Sequence, residues 1–179
     1  IAVGARGATT STGEVWIIDL TPGTGLPHSA VTIDATDFPV NTLAANDEFG
    51  AAIAAIGDWN EDTIPDLAVG APGDDDGGTN RGALYILYLN ADGSVQTHQK
   101  ISSTQGGFNG PLSNFAFWGR SIALIDDQFA DGRPDLAVGQ PSGLSDSSVW
   151  LLQTSPGCFE FTPTTCAIDA EIEITTGTA

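Results

Sequence analysis

Positive charge is what this chain has least of. Five Lys and Arg stand against 23 Asp and Glu in 179 residues, a formal charge of -18 at pH 7. A nucleic-acid backbone or an anionic membrane surface would repel such a chain, which removes nucleic acid from the partners to consider. Long apolar runs are absent as well. Nothing approaches the roughly 18 residues of a membrane span, and no basic stretch followed by a short apolar one opens the sequence as a secretion signal would. No membrane insertion is therefore expected. The chain starts at Ile1, not methionine, and in the middle of a repeat described below, so a mature or proteolysed piece of a longer protein is expected. Neither Arg-Gly-Asp nor an Asn-x-Ser/Thr sequon occurs.

Cysteine is scarce too. The two present, Cys158 and Cys166, bracket a short segment in which Pro163 can turn the chain back. A disulfide between them is expected, with two unpaired thiols as the alternative. Closing so small a loop contributes on the order of 2.5 kcal/mol in the chain-entropy model and implies an oxidising compartment.

Glycine and proline, by contrast, are plentiful: 22 and 10 residues, beside 41% hydrophobic residues and many Thr and Ser. That mixture favours short strands joined by frequent turns. The length is enough to bury roughly 70% of the unfolded surface, so a core needs no staple.

Self-similarity organises the chain. The run Ile64-Pro-Asp-Leu-Ala-Val-Gly-Ala-Pro72 returns 69 residues later as Arg133-Pro-Asp-Leu-Ala-Val-Gly-Gln-Pro141, and the same offset relates Gly50 to Gly119, Asp58 to Asp127 and Asp62 to Asp131. An earlier, partial copy is visible in Ile1-Ala-Val-Gly-Ala5, which matches Leu67 to Ala71 but lacks the preceding strand and acidic loop. Apolar patterning gives the middle copy four strands, Ala51 to Gly57, Asp66 to Gly70, Gly82 to Leu89 and Ser94 to Ser102. The Asp92-Gly93 step between the last two marks a β-hairpin. In the final copy the third and fourth strands are expected at Ser148 to Gln153 and Ile168 to Thr175, with the cysteine loop inserted between them.

The first strand of a copy is rich in small residues, whereas outer strands carry Trp16, Tyr85, Tyr88 and Trp150. Small inner and bulky outer side chains, four strands to a unit, describe the blades of a β-propeller. The expected fold is therefore all-β, with four-stranded antiparallel blades. A partial blade spans residues 1–35, a complete one 36–104 and a third 105–179, about two and three-quarter blades, too few to close a ring.

Phe49-Gly50, the apolar strand and aspartate-rich loop that follow, and Gly70-Ala71-Pro72 together resemble the FG-GAP repeat of integrin alpha subunits and, more closely, tandem FG-GAP repeats of bacterial proteins. The resemblance implies propeller blades on secreted or cell-surface proteins that mediate adhesion or other binding. The third copy departs from it, with Trp118-Gly119 for Phe-Gly and Gln140 for the alanine, and the first copy reads Gly4-Ala5-Arg6. These read as packing variants.

The acidic loops carry the chemistry. Asp58, Asn60, Asp62 and Asp66 occupy positions 1, 3, 5 and 9 of a nine-residue loop, with the Ile64 carbonyl available at position 7. Oxygen donors at that spacing suit calcium, a hard cation that takes six to eight oxygens in flexible geometry. Loops of the family carry aspartate at position 3 and glycine at positions 4 and 6, so Asn60, Glu61 and Thr63 predict weaker binding. The second loop keeps Asp127, Asp131, Asp135 and the Arg133 carbonyl, but Phe129 stands where an oxygen belongs. Asp74-Asp75-Asp76-Gly77-Gly78 reads differently, as a solvated, mobile loop.

No nucleophile with its base, and no acid–base pair apart from the repeat, points to an enzyme. His28 and His98 recur beside the fourth strand of successive copies, a structural position. The expected function is an extracellular, calcium-binding module for a protein or glycan ligand. The alternative is a structural subunit of a fibre or surface layer, built from further copies of itself or further repeats of a longer chain.

Overall fold

The computed structural model of the chain describes residues 1–141, 147–154 and 168–175. Eleven strands form three antiparallel sheets, each a simple meander. The first sheet holds β1 (Ala2–Gly4), β2 (Val15–Leu20) and β3 (Pro27–Ile33). The second holds β4 (Ala52–Gly57), β5 (Asp66–Ala71), β6 (Ala83–Leu89) and β7 (Val95–Ile101). The third holds β8 (Ser121–Ile125), β9 (Asp135–Gln140), β10 (Ser148–Thr154) and β11 (Ile168–Thr175). The fold is thus almost all-β, a run of propeller blades that does not close. Cys158 and Cys166 lie outside the described residues.

Burial follows from stacking. In the middle blade β5 and β6 are buried along their whole length, because a neighbouring blade covers each face, and they read as near-continuous apolar runs. The inner strands β4 and β8 stay partly open and are built mainly of small residues and Ile. At the β6–β7 hairpin Gly93 takes φ +85°, and Asn90 N–H donates to the Ser94 carbonyl at 2.8 Å. Asp-Gly supplies that left-handed step without strain.

Two apolar cores fill the spaces between blades. Val15 and Ile33 from the first sheet, Phe38 and Phe49 from the connection, and Val69, Tyr85 and Leu87 from the second sheet form one. Leu84, Ile86 and Tyr88 on the opposite face of the second sheet meet Phe108, Trp118, Leu136, Trp150 and Leu152 in the other. Phe49 and Trp118 are fully buried, Phe49 edge-on to Tyr85 at 5.4 Å and Trp118 stacked on Phe108 at 4.5 Å. Burying each such ring is worth roughly 2–3 kcal/mol.

The glycine after each ring makes the joint possible. Gly50 and Gly119 sit at φ +83° and +85°, and their N–H groups donate to the Gly70 and Gly139 carbonyls at 3.0 and 3.2 Å. Packing is closest where a Cβ on Gly4 or Gly70 would lie 2.0 or 1.9 Å from the carbonyl oxygen of Gly50 or Gly119. The Phe-Gly and Gly-Ala-Pro elements of successive copies are the two halves of one inter-blade joint.

Register also aligns the outer aromatics. Val3, Val69 and Val138 pair with Trp16, Tyr85 and Trp150, so these three rings hold one position in three blades. Tyr85 and Trp150 are buried against the preceding blade, while Trp16 is 38% exposed beside exposed Ile1 and Val3.

Candidate metal loops and a buried charge cluster

Both acidic loops connect the first strand of a blade to the second, and both are scaffolded by the same hydrogen bonds. Asp58 Oδ1 and Oδ2 accept the N–H groups of Asp62 and Thr63 at 2.9 and 2.8 Å. In the next blade Asp127 accepts those of Asp131 and Gly132 at 3.0 and 2.8 Å. Asp62 Oδ1 accepts Ile64 N–H at 2.8 Å, and Asp131 Oδ1 accepts Arg133 N–H at 2.9 Å. The ninth position is fully buried in both. Asp66 accepts Trp59 N–H at 2.9 Å, and Asp135 accepts Gln128 N–H at 2.6 Å.

The structure therefore brings Asp58, Asn60, Asp62 and Asp66 into one turn, and Asp127, Asp131 and Asp135 into its copy. Burial pushes the Asp66 and Asp135 carboxyls up; the backbone N–H groups oppose it, and the neighbouring loop aspartates add to it. Asp66 Oδ1 accepts Leu89 N–H at 3.0 Å, which ties the loop to β6. Asp135 Oδ1 is buried without a hydrogen-bond partner among the described residues.

The loops differ in detail. Asn60 Nδ2 donates to Asp62 Oδ2 at 2.9 Å, spending on its neighbour an oxygen that a cation would use. Glu61 and Thr63 adopt φ +63° and +75°, and in the second loop Ala130 and Gly132 adopt +57° and +90°. The family's glycine positions are thus left-handed here, occupied by side chains in three of four cases. Among the described residues no three His, Cys, Asp or Glu side chains converge as a ready metal centre. Arg133, besides its loop carbonyl, bridges to Glu61 at 2.9 Å and so joins the two loops.

The expectation of a solvated, mobile loop at Asp74 to Gly78 is corrected. Asp74 is 2% exposed, and Lys100 Nζ lies 2.7 Å from its Oδ2 and 2.9 Å from Asp76 Oδ2. Ser102 Oγ and Gln105 Nε2 also donate to Asp76 Oδ2, at 3.0 and 2.9 Å. Tyr85 Oη sits 2.9 Å from the Thr42 carbonyl and 3.3 Å from Asp74 Oδ2. Burial would lower the Lys100 pKa, but its hydrogen bonds and attraction to Asp74 and Asp76 outweigh that and raise it. Asp47 is buried nearby, with its Oδ2 accepting Ala44 N–H at 2.7 Å; desolvation pushes its pKa to about 6. His98 packs edge-on against Phe38 at 4.8 Å, and burial followed by the Lys100 charge lowers its pKa. A signal for this cluster was present: Lys100 is the only lysine of the sequence, opposite its only Asp triplet.

Comparison with known proteins agrees with this architecture. Residues 42–88 match the family model described as FG-GAP repeat. Mouse integrin alpha-X is 37% identical over 126 residues, covering 69% of this chain and 10% of that protein. Human integrin alpha-D is 38% identical over 111 residues, 60% of this chain and 8% of its own length. Mouse integrin alpha-2 is 33% identical over 129 residues, 71% and 10% respectively. The chain thus spans about a tenth of the relatives it matches, and the family-model match at residues 42–88 contains the Phe49-Gly50 half of the joint and the β4 to β6 register described above. This chain belongs to the FG-GAP repeat family, in its integrin alpha-like form.

Proposed function

We propose that the chain is a non-enzymatic, extracellular binding module whose blades are stiffened by calcium at the two acidic loops, and which takes a protein or glycan ligand. The observation that carries the metal reading is the shared scaffold. Two loops 69 residues apart hold their first, fifth and ninth aspartates by equivalent backbone N–H groups. A carboxylate oxygen that accepts one N–H keeps a second lone pair, so the same bonds that position the carboxylates leave them able to ligate. Asp58, Asn60, Asp62, Asp66 and the Ile64 carbonyl would hold the first ion. Asp127, Asp131, Asp135 and the Arg133 carbonyl would hold the second, with one donor fewer because of Phe129. The ion would supply positive charge that a chain of charge -18 otherwise lacks.

Calorimetry on chelator-treated protein tests this. A stronger and a weaker calcium site are expected, together with a rise in melting temperature. Absence of both heat and thermal shift refutes the calcium reading. The adhesion reading rests on the integrin alpha relatives and is tested by ligand-array binding with and without calcium.

A second reading, a structural subunit of a larger assembly, is favoured by the apolar outer faces. Ile1, Val3 and Trp16 are exposed on one side and Val149 on the other. Light scattering separates the readings: a discrete particle supports the module, concentration-dependent filaments the building block.

A further inference from the structure

Lys100 is the sole lysine of the chain, yet its side chain is only 9% exposed and that of Asp74 only 3%. Lysine is almost never buried to this degree. Among the described residues, the Arg–carboxylate contacts Arg6–Glu48, Arg120–Glu48 and Arg133–Glu61 each have a well-exposed partner. An unreactive ion pair needs only an amine and one carboxylate. Here the amine touches two carboxylates, and one of those is itself gripped from several sides.

Asp74 Oδ1 accepts the N–H of Asp76 at 3.0 Å, while its Oδ2 faces Lys100 Nζ at 2.7 Å and the Tyr85 hydroxyl at 3.3 Å. Asp76 Oδ2, 2.9 Å from the same Nζ, is held by Ser102 and Gln105. Nucleophile, electrophile, proton acceptor and donors to the developing oxyanion are thus in contact in a water-poor site, the parts that acyl transfer to an amine requires. We propose that Lys100 and Asp74 join in an intramolecular amide bond, a self-formed cross-link between the loop after β5 and the outer strand β7.

The step balances without a co-reactant. The ammonium passes a proton to Asp76, and the free amine attacks Asp74 Cγ, forming the C–N bond. Charge gathers on Oδ1 against the Asp76 N–H. The Cγ–Oδ2 bond breaks, and Oδ2 leaves as water with the two protons the ammonium has lost. One cation and one anion become a neutral amide plus water; nothing is oxidised or reduced. The reaction runs once per molecule, so the small neutral fraction of a strongly ion-paired lysine is sufficient. Removal of the product water from a buried site favours the amide.

The purified, reduced full chain tests the proposal under denaturing conditions. Its mass is expected to fall short of the sequence mass by one water, and an amine-reactive label should modify the N-terminus alone. Trypsin should not cut after Lys100, and the peptide ending at Arg81 should stay joined to the one ending at Arg120. Succinimide at Asp76-Gly77, Asp92-Gly93 or Asp131-Gly132 also loses one water, so a mass deficit confined to a linear peptide counts against the cross-link. Lys100→Arg should restore the sequence mass, and Asp76→Asn and Tyr85→Phe should slow linkage in freshly folded protein. Full sequence mass, with two labelled amines after prolonged incubation of the parent chain, overturns the proposal whatever the variants do.

Discussion

Replacing Asp47 by Asn should stabilise the protein above neutral pH and leave it unchanged in acid. Asp47 is 5% exposed, and desolvation lifts its pKa from 3.8 to about 6; the Ala44 N–H and Lys100 oppose the shift, while Asp74 and Asp75 add to it. A carboxyl that holds its proton more tightly folded than unfolded makes folding take up a proton between those two values. Stability is therefore greatest below pH 4, falls as pH rises through about 6, and carries the full cost of the buried charge above that. About two pKa units at about 1.4 kcal/mol each give a cost of about 3 kcal/mol. Asn keeps an oxygen for the Ala44 N–H at 2.7 Å and never ionises. Urea unfolding of parent and Asp47→Asn, followed by tryptophan fluorescence from pH 4 to pH 8, reads the difference directly, since every other carboxyl titrates in both. The variant should gain about 2 to 3 kcal/mol at pH 8 and nothing at pH 4. A gap that does not change with pH, or one that narrows as pH rises, refutes the assignment of a buried charge to Asp47.

Four further substitutions probe the loops and the joint. Asn60→Asp exchanges the amide that donates to Asp62 for a fourth carboxylate, so calcium affinity in the first loop should rise about tenfold by calorimetry, without effect on the second. Thr63→Gly removes a β-branched residue from φ +75° and should raise stability by about 1 kcal/mol in thermal unfolding, whereas Gly132→Thr at the matching position should cost at least as much. Gly70→Ala places a methyl 1.9 Å from the Gly119 carbonyl oxygen and should cost more than about 3 kcal/mol, or abolish soluble folding; a melting temperature within a degree or two of the parent would contradict the close packing of the joint.

Most of the fold was legible because a repeat shows the same pattern more than once. The fourth strand of the last blade was expected at Ile168 to Thr175 and forms there, and the strands of the middle blade lie within one residue of expectation at every end. The loop carboxylates were legible for the same reason. The Lys100 cluster was not, because it depends on pairing across the blade: Lys100 lies opposite Tyr85 in the β6–β7 register, and Tyr85 in turn reaches Asp74. A row of aspartates beside two glycines reads as solvent-exposed until the strand that carries the only lysine is laid next to it. Tyr85 was legible as an outer aromatic, but nothing local showed that its hydroxyl meets buried carboxylate.

The joint between blades explains which departures from the repeat are tolerated. Phe49 and Trp118 fill equivalent spaces between successive sheets, so what the position needs is a large ring, and Trp118 meets that need although its indole N–H is buried without a partner among the described residues. The glycine that follows is held to a backbone contact that no side chain fits, with its φ near +85° in both copies. Gln140, in the alanine position of the third copy, is 4% exposed and accepts the Trp150 indole N–H at 2.7 Å, so a polar side chain is accommodated there only because a ring donor stands beside it. Trp150 occupies the register position of Tyr85, whose hydroxyl is turned to Thr42 and Asp74 instead. The two substitutions in the third blade are therefore coupled: alanine at 140 would strand the indole N–H of Trp150, and tyrosine at 150 would leave Gln140 without its donor. The signature of the repeat specifies contacts between blades more strictly than it specifies the blade itself.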